Sequence, residues 1–122
     1  MGLLRVLLVE DEPIVREMAA EALKDEGFDV IEAETGDAAA LLLVDADEID
    51  VVLTDVRMPG KMDGIDVAVR ARELHPTIVV IVVSGYAPQL TERLNSLAPP
   101  PLFFRKPYRT SEIVRTVRQM AA

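Results

Sequence analysis

The chain has 122 residues, half of them apolar, which fits one compact domain, residues 1-122, around a single core; no low-complexity stretch suggests disorder. A net charge of −8 argues against direct nucleic-acid binding and against anionic membrane surfaces, since both require a basic face. With no cysteine, disulfides, thiol chemistry and Cys-ligated zinc are excluded, and no apolar run is long enough for membrane insertion. The start, Met1-Gly2-Leu3-Leu4-Arg5, lacks the basic segment and long apolar stretch of a secretory signal, so the cytoplasm is the expected location.

Strand-like runs alternate with helical patterns along the chain, five of each, which is the sequence form of repeated βα units and a parallel sheet. The first strand is Leu4 to Val9, apolar except for Arg5, as expected for a strand covered on both faces. Pro13 opens a helix, where its missing N–H costs nothing, with Ile14, Val15, Met18, Ala22 and Leu23 as its apolar stripe and Gly27 as its stop. Phe28 to Ala33 reads as the second strand, Thr35 as an N-cap, and Asp37 to Val44 as the second helix. The third strand, Asp50 to Thr54, leads into Asp55. Pro59-Gly60 and Asp63-Gly64 punctuate a loop, and Ile65, Val69 and Leu74 mark a helix that ends before Pro76. Ile78 to Val83, the most β-branched segment, is expected at the centre of the sheet. Pro88 opens a fourth helix carrying Leu90, Leu94 and Leu97, and Pro99-Pro100-Pro101 must end it. A short strand, Leu102 to Phe104, follows, and a last helix from Thr110 or Ser111 buries Ile113, Val114, Val117 and Met120.

Where the apolar runs end, chemistry collects. Glu10-Asp11 ends the first, Asp55 the third, Ser84 the fourth and Lys106 the fifth. If these runs lie parallel in one sheet, their carboxyl ends gather three acids, a hydroxyl and an ammonium in the crevice where open α/β sheets bind ligands. Such a set suits Mg²⁺ and a phosphoryl group. Taken singly, each residue has a plainer explanation: Glu10 and Asp11 as favourable charge before a helix N-terminus, Asp55 as a cap or loop acid, Ser84 as a turn residue, Lys106 as a solvated charge. Convergence favours function, because three acids repel one another unless a cation joins them or one stays protonated.

Val9-Glu10-Asp11-Glu12-Pro13, Thr54-Asp55-Val56-Arg57-Met58-Pro59-Gly60, Val83-Ser84-Gly85-Tyr86 and Arg105-Lys106-Pro107-Tyr108, in this order and spacing, resemble the receiver domain of two-component response regulators over essentially the whole chain. The resemblance implies a flavodoxin-like, doubly wound α/β fold: a five-stranded parallel sheet of order 2-1-3-4-5 with five helices. It implies that Asp55 accepts a phosphoryl group from a histidine kinase or a histidine phosphotransfer protein, in a Mg²⁺-dependent reaction, and that the protein is a switch rather than a turnover enzyme. Asp11 matches a direct Mg²⁺ ligand, Glu10 an acid acting through water, and the Arg57 backbone carbonyl a further ligand. Ser84 matches the hydroxyl and Lys106 the cation that contact the phosphoryl group. Phe103 matches an aromatic that swings inward as the hydroxyl moves, although a plain core aromatic fits the sequence equally. His75 reads as a helix-terminal cation, and Tyr86 and Tyr108 as surface residues.

The Ser84-Gly85-Tyr86-Ala87 segment and the ending Ile113 to Met120 also resemble receivers of hybrid histidine kinases, which makes an excised domain the alternative setting. Two other classes fit less well. An aspartate-nucleophile phosphatase of the haloacid dehalogenase type needs a second Asp two residues beyond the nucleophile, where this chain has Arg57. A flavin-binding module needs a Ser/Thr/Gly-rich phosphate loop after the first strand, where Glu10-Asp11-Glu12 would repel phosphate. Ala98-Pro99-Pro100-Pro101 departs from the family's usual Gly-Ala pair before the fifth strand.

Overall fold

The computed structural model describes residues 3–46, 48–85 and 90–121. Five strands, β1 (Arg5–Val9), β2 (Asp29–Ala33), β3 (Val51–Asp55), β4 (Val79–Ser84) and β5 (Leu102–Arg105), alternate with five helices. The helices are α1 (Pro13–Asp25), α2 (Gly36–Asp45), α3 (Gly64–Leu74), α4 (Leu90–Asn95) and α5 (Thr110–Ala121). Every strand pair is parallel and the order is β2-β1-β3-β4-β5, the flavodoxin-like arrangement. β3 therefore holds the centre. The segment Ile78 to Val83 is largely buried as expected, but it supplies most of the neighbouring strand β4, Val79–Ser84.

The sheet divides the core in two. Because side chains alternate across a strand, Val6 and Leu8 of β1 face one layer and Leu7 and Val9 the other. One layer joins Val6, Leu8, Val51, Leu53, Ile81 and Val83 to Leu23 of α1 and Ile113, Val114 and Val117 of α5. The opposite layer joins Leu7, Val9, Val52, Val80 and Val82 to α2 and α3. Two buried faces explain why the strands read as continuous apolar runs.

The helices lie where the sequence puts them, yet several present other faces than expected. α1 buries Ala20 and Leu23 but leaves Ile14 73% and Met18 66% exposed, with Val15 also outside. α3 packs through Ile65, Val67, Ala68 and Ala71, while Val69 and Leu74 reach the surface. Met120 is exposed at the end of α5. In each case small or neighbouring residues make the close contact with the sheet, and the larger side chain lies one helical step off the seam. α4 ends at Asn95, before the prolines; Leu97 follows it, and both Leu94 and Leu97 pack on the α2/α3 layer. The expected roles of Pro88 and Tyr86 fall outside the described residues.

Local signals account for the helix starts. Thr35 Oγ1 accepts from Ala38 N, as its predicted capping role requires. Asp63 and Asp66 form a reciprocal capping box at the start of α3. His75, at the end of α3, directs Nε2 to the Leu43 carbonyl in the last turn of α2 at 2.9 Å, so it joins two helix ends.

Two glycines are required for different reasons. A Cβ on Gly64 would lie 2.0 Å from the Asp55 carbonyl oxygen, whereas Gly27 has open space but a φ of +92°. Gly64→Ala should therefore cost about 2 kcal/mol or more by forcing backbone apart, and Gly27→Ala about 1 kcal/mol of strain. Denaturant titration checks the ranking; an equal or reversed order would contradict the close approach of α3 to β3.

Candidate functional site

Parallel register aligns the strand ends at one edge of the sheet. Val9 pairs with Thr54, Asp55 with Val83, and Ser84 with Arg105, so Glu10, Asp55, Ser84 and Lys106 follow one another across that edge. Backbone bonds continue the ladders past the strands: Glu10 N donates to Ala33 O at 3.0 Å, Val56 N to Val83 O at 3.3 Å, and Lys106 N to Ser84 O at 2.8 Å. Each functional side chain is thus carried by a backbone already held on its neighbour.

The three acids meet. Glu10, Asp11 and Asp55 place carboxylate oxygens within 4.8 Å of one another, a hard oxygen set suited to a divalent cation. Lys106 Nζ donates to Asp55 Oδ2 at 2.6 Å and lies 3.9 Å from Glu10 Oε2. Burial pushes the Glu10 carboxyl up to about 7; Lys106 opposes that rise, while Asp55 and Asp11 add to it. Burial pulls the Lys106 ammonium down, but the hydrogen bond and charge of Asp55, with Glu10, more than offset it and leave Lys106 above its ordinary value. The cluster sets one cation, Lys106, against three acids, and the raised pKa of Glu10 makes it the acid that takes up a proton most readily.

Ser84, predicted as the hydroxyl of the site, is buried at the end of β4, 4% exposed. Arg57 stands two residues past Asp55 with its side chain in solvent. Phe103 is 41% exposed, on the side of β5 opposite Leu102 and Phe104, which pack on the α1/α5 layer. It is not a core aromatic. Tyr108 is part-buried against that same layer rather than a surface residue, and burial raises its hydroxyl pKa, with Lys106 opposing.

Of the residues that hold the site in place, Arg16 and Asp37 gave no warning in the sequence, and Gly60 and Gly64 stood out there only as loop punctuation. Arg16 of α1 donates to the Glu10 carbonyl at 2.8 Å and pairs with Glu32 at 3.5 Å, fixing the turn that presents the acids. Asp37, in the first turn of α2, accepts from the backbone of Lys61 and Met62 and so anchors the loop after Asp55. Gly60, with φ +102°, lies against the same carboxylate. Gly64 N donates to Val56 O at 2.8 Å, seating α3 beneath the acceptor.

Comparison with known proteins agrees with this geometry. The family model for the response regulator receiver domain matches residues 6–118. The chain is 46% identical over 81 residues to a cyclic di-GMP phosphodiesterase of Thermotoga maritima and 38% identical over 120 residues to the sensor kinase CckA of Brucella abortus. These matches cover 66% and 98% of this chain but only 21% and 13% of those two proteins. Among solved structures, a response regulator receiver protein from Sinorhizobium medicae is 31% identical with a TM-score of 0.87, covering 97% of this chain and 94% of that one. The response regulator TrrA from Thermotoga maritima, solved in complex with Mg²⁺-BeF, is 28% identical with a TM-score of 0.83, covering 97% and 99%. A strand edge that ends in Glu10-Asp11, Asp55, Ser84 and Lys106, within a sheet of this order and under this match, places the chain in the response regulator receiver domain family of two-component systems.

Proposed function

We propose that this chain is a phosphoacceptor switch in which Asp55 takes a phosphoryl group from the phosphohistidine of a histidine kinase or histidine phosphotransfer protein. The observation that carries the reading is the convergence of Glu10, Asp11 and Asp55 with Lys106 hydrogen-bonded to Asp55. A carboxylate oxygen of Asp55 attacks phosphorus and the donor's N–P bond breaks; with its other nitrogen protonated, the ring leaves as neutral imidazole. Glu10, Asp11 and Asp55, with the Arg57 carbonyl, would hold Mg²⁺, which neutralises charge on the phosphoryl oxygens. The TrrA complex, with its Mg²⁺ and phosphoryl-like beryllofluoride, supports that fit by analogy.

The chain's own groups divide the remaining work. Lys106 holds Asp55 in place before transfer and afterwards follows the charge to a phosphoryl oxygen, a short move for an ammonium on a flexible stem. Ser84 would donate its hydroxyl to another phosphoryl oxygen, and Phe103, now outward, would turn in behind it. Ile14 and Met18, exposed on α1 directly after the acids, offer the donor an apolar face. The chain catalyses its own phosphorylation and dephosphorylation and turns over no separate substrate. Arg57, exposed where a haloacid dehalogenase-type phosphatase needs its acid, speaks against that class. The CckA match keeps a hybrid-kinase receiver as the alternative setting; in either setting the cytoplasm supplies the donor.

Incubation with acetyl phosphate and Mg²⁺ should add one phosphoryl mass to the parent and none to Asp55→Asn, read by intact mass spectrometry. Equal labelling of both would reject Asp55 as the acceptor.

The metal site generates a second expectation. Asp11→Asn should weaken Mg²⁺ binding more than Glu10→Gln, because Glu10 is assigned an action through water. The proton on Glu10 then sets the pH dependence. Its folded pKa of about 7 lies above the ordinary 4.5, so its stabilising contribution is complete below 4.5 and lost as pH rises through 7. Mg²⁺ binding needs the carboxylate and should strengthen as pH rises toward 7 and level off by about pH 8, while the metal-free protein loses stability between about 4.5 and 7. Calorimetric titrations should show that slope in the parent and not in Glu10→Gln; a flat parent profile would contradict the assignment.

A further inference from the structure

Asp63 and Asp66 do more than cap α3. Gly64, the first residue of α3, is bonded to the Val56 carbonyl and seated against the Asp55 carbonyl so closely that no side chain fits between them. The start of α3 is therefore fixed to the backbone of the acceptor. On its outer side, Arg93 of α4 grips the same cap with a fork: Nη1 donates to Asp63 Oδ2 at 2.6 Å, and Nη2 reaches Asp63 Oδ1 at 3.3 Å and Asp66 Oδ1 at 3.4 Å. Burial works against the charge on Asp63, but the hydrogen bonds from Arg93 and the Asp66 backbone prevail and hold the carboxyl below its ordinary value. Arg93 is shifted upward to match, chiefly by its hydrogen bond to Asp63.

α4 is the first helix after Ser84 and only six residues long. Apart from the Arg93 ion pairs, its described side-chain attachment is apolar packing at Leu94, continued by Leu97 just beyond the helix. Apolar contacts are non-directional and tolerate sliding, whereas a guanidinium fork tolerates little. Two of its three contacts already sit near the limit of hydrogen-bond length, so a shift of about an ångström would break them.

We propose that Arg93 is a clasp that ties α4, the first helix after Ser84, to the start of α3 in the resting state and releases when Ser84 moves onto the phosphoryl group. The clasp rests on the phosphoacceptor reading of Asp55. It is assigned to the resting arrangement by Phe103, which is turned outward in the same structure, and by Lys106, which is hydrogen-bonded to the Asp55 carboxylate itself. An interaction present in one state and absent from the other biases the balance by its own free energy, however modest. A half-exposed ion pair is modest by nature, which suits a trim on a switch rather than a lock.

Beryllofluoride with Mg²⁺ is the probe. Arg93→Met should bind it about two- to fivefold tighter than the parent at low salt, and the gap should narrow at high salt. Arg93→Lys, which keeps the charge without the fork, should fall between the two. Asp63 keeps its bonds from Ile65 N and Asp66 N in either variant, so α3 stays capped, and thermal melting checks the fold. In the parent, the amides of α4 should exchange faster once beryllofluoride is bound. Equal or weaker binding by a folded Arg93→Met, or slower α4 exchange in the liganded parent, would overturn the clasp alone. A parent that fails to bind beryllofluoride with Mg²⁺ would remove the phosphoacceptor reading and the clasp with it.

Discussion

Repulsion among Glu10, Asp11 and Asp55 is the constraint around which the rest of the molecule is arranged. Parallel register delivers β1 and β3 to the same edge, and the acids at their ends have carboxylate oxygens within 4.8 Å. At an effective dielectric of about 20, each such pair of full charges costs about 3 kcal/mol. No domain of this size carries three such pairs unrelieved, given a total stability of about 5–15 kcal/mol. Lys106 relieves part of the charge through Asp55, and a proton on Glu10 relieves another part up to about pH 7. A site that must hold either a proton or a cation is prepared to exchange one for the other.

The scaffold resists that repulsion by fixing backbone rather than side chains. Arg16 holds the Glu10 carbonyl, Asp37 the amides of Lys61 and Met62, and Gly64 the carbonyl end of β3. The loops that carry the chemistry are thereby tied to α1, α2 and α3, whose inner faces close the two core layers. Loops positioned by a rigid scaffold can keep unfavourable charge in place. The apolar layers supply the stability, and the strand ends bear its cost.

The fold was legible because each signal was local. Apolar runs ended by an acid, a serine or a lysine marked four strand ends, and proline, threonine and glycine marked helix starts and stops. The helix faces were harder to read. Ile14, Met18, Val69 and Leu74 are the larger apolar residues of their helices, but Ala20, Ala68 and Ala71 are among those that make the close contacts, and an alanine weighs little beside a large side chain in a stripe. β-branched content points to β4 as the centre because it reports burial on two faces, which β3 and β4 share. The acids and Lys106 of the site could be placed because strand ends must align in a parallel sheet. The supports could not: Arg93 meets Asp63 across 30 positions and Lys61 meets Asp37 across 24, and no periodicity in the chain encodes either meeting.

Magnitudes decide how Lys106, Ser84 and the Arg93 fork share the work in the proposed switch. Moving a balance from about 1:99 to 99:1 takes about 5.5 kcal/mol of differential affinity. The Arg93 fork, half-exposed and open to salt, is worth about 1 kcal/mol at most, so it sets the resting ratio and cannot drive the transition. The drive must come from contacts that exist only once Asp55 is phosphorylated. The Lys106 ammonium, less exposed than Arg93, and the Ser84 hydroxyl are the groups beside Asp55 that can make them. Lys106 gains only the difference between a carboxylate and a phosphoryl oxygen, since it already holds Asp55 at 2.6 Å. Ser84, a neutral hydroxyl at the end of β4, would add a bond to the phosphoryl group rather than exchange one ionic partner for another. In the proposed switch the hydroxyl would therefore supply the larger differential term, and its movement is what the Arg93 clasp would oppose.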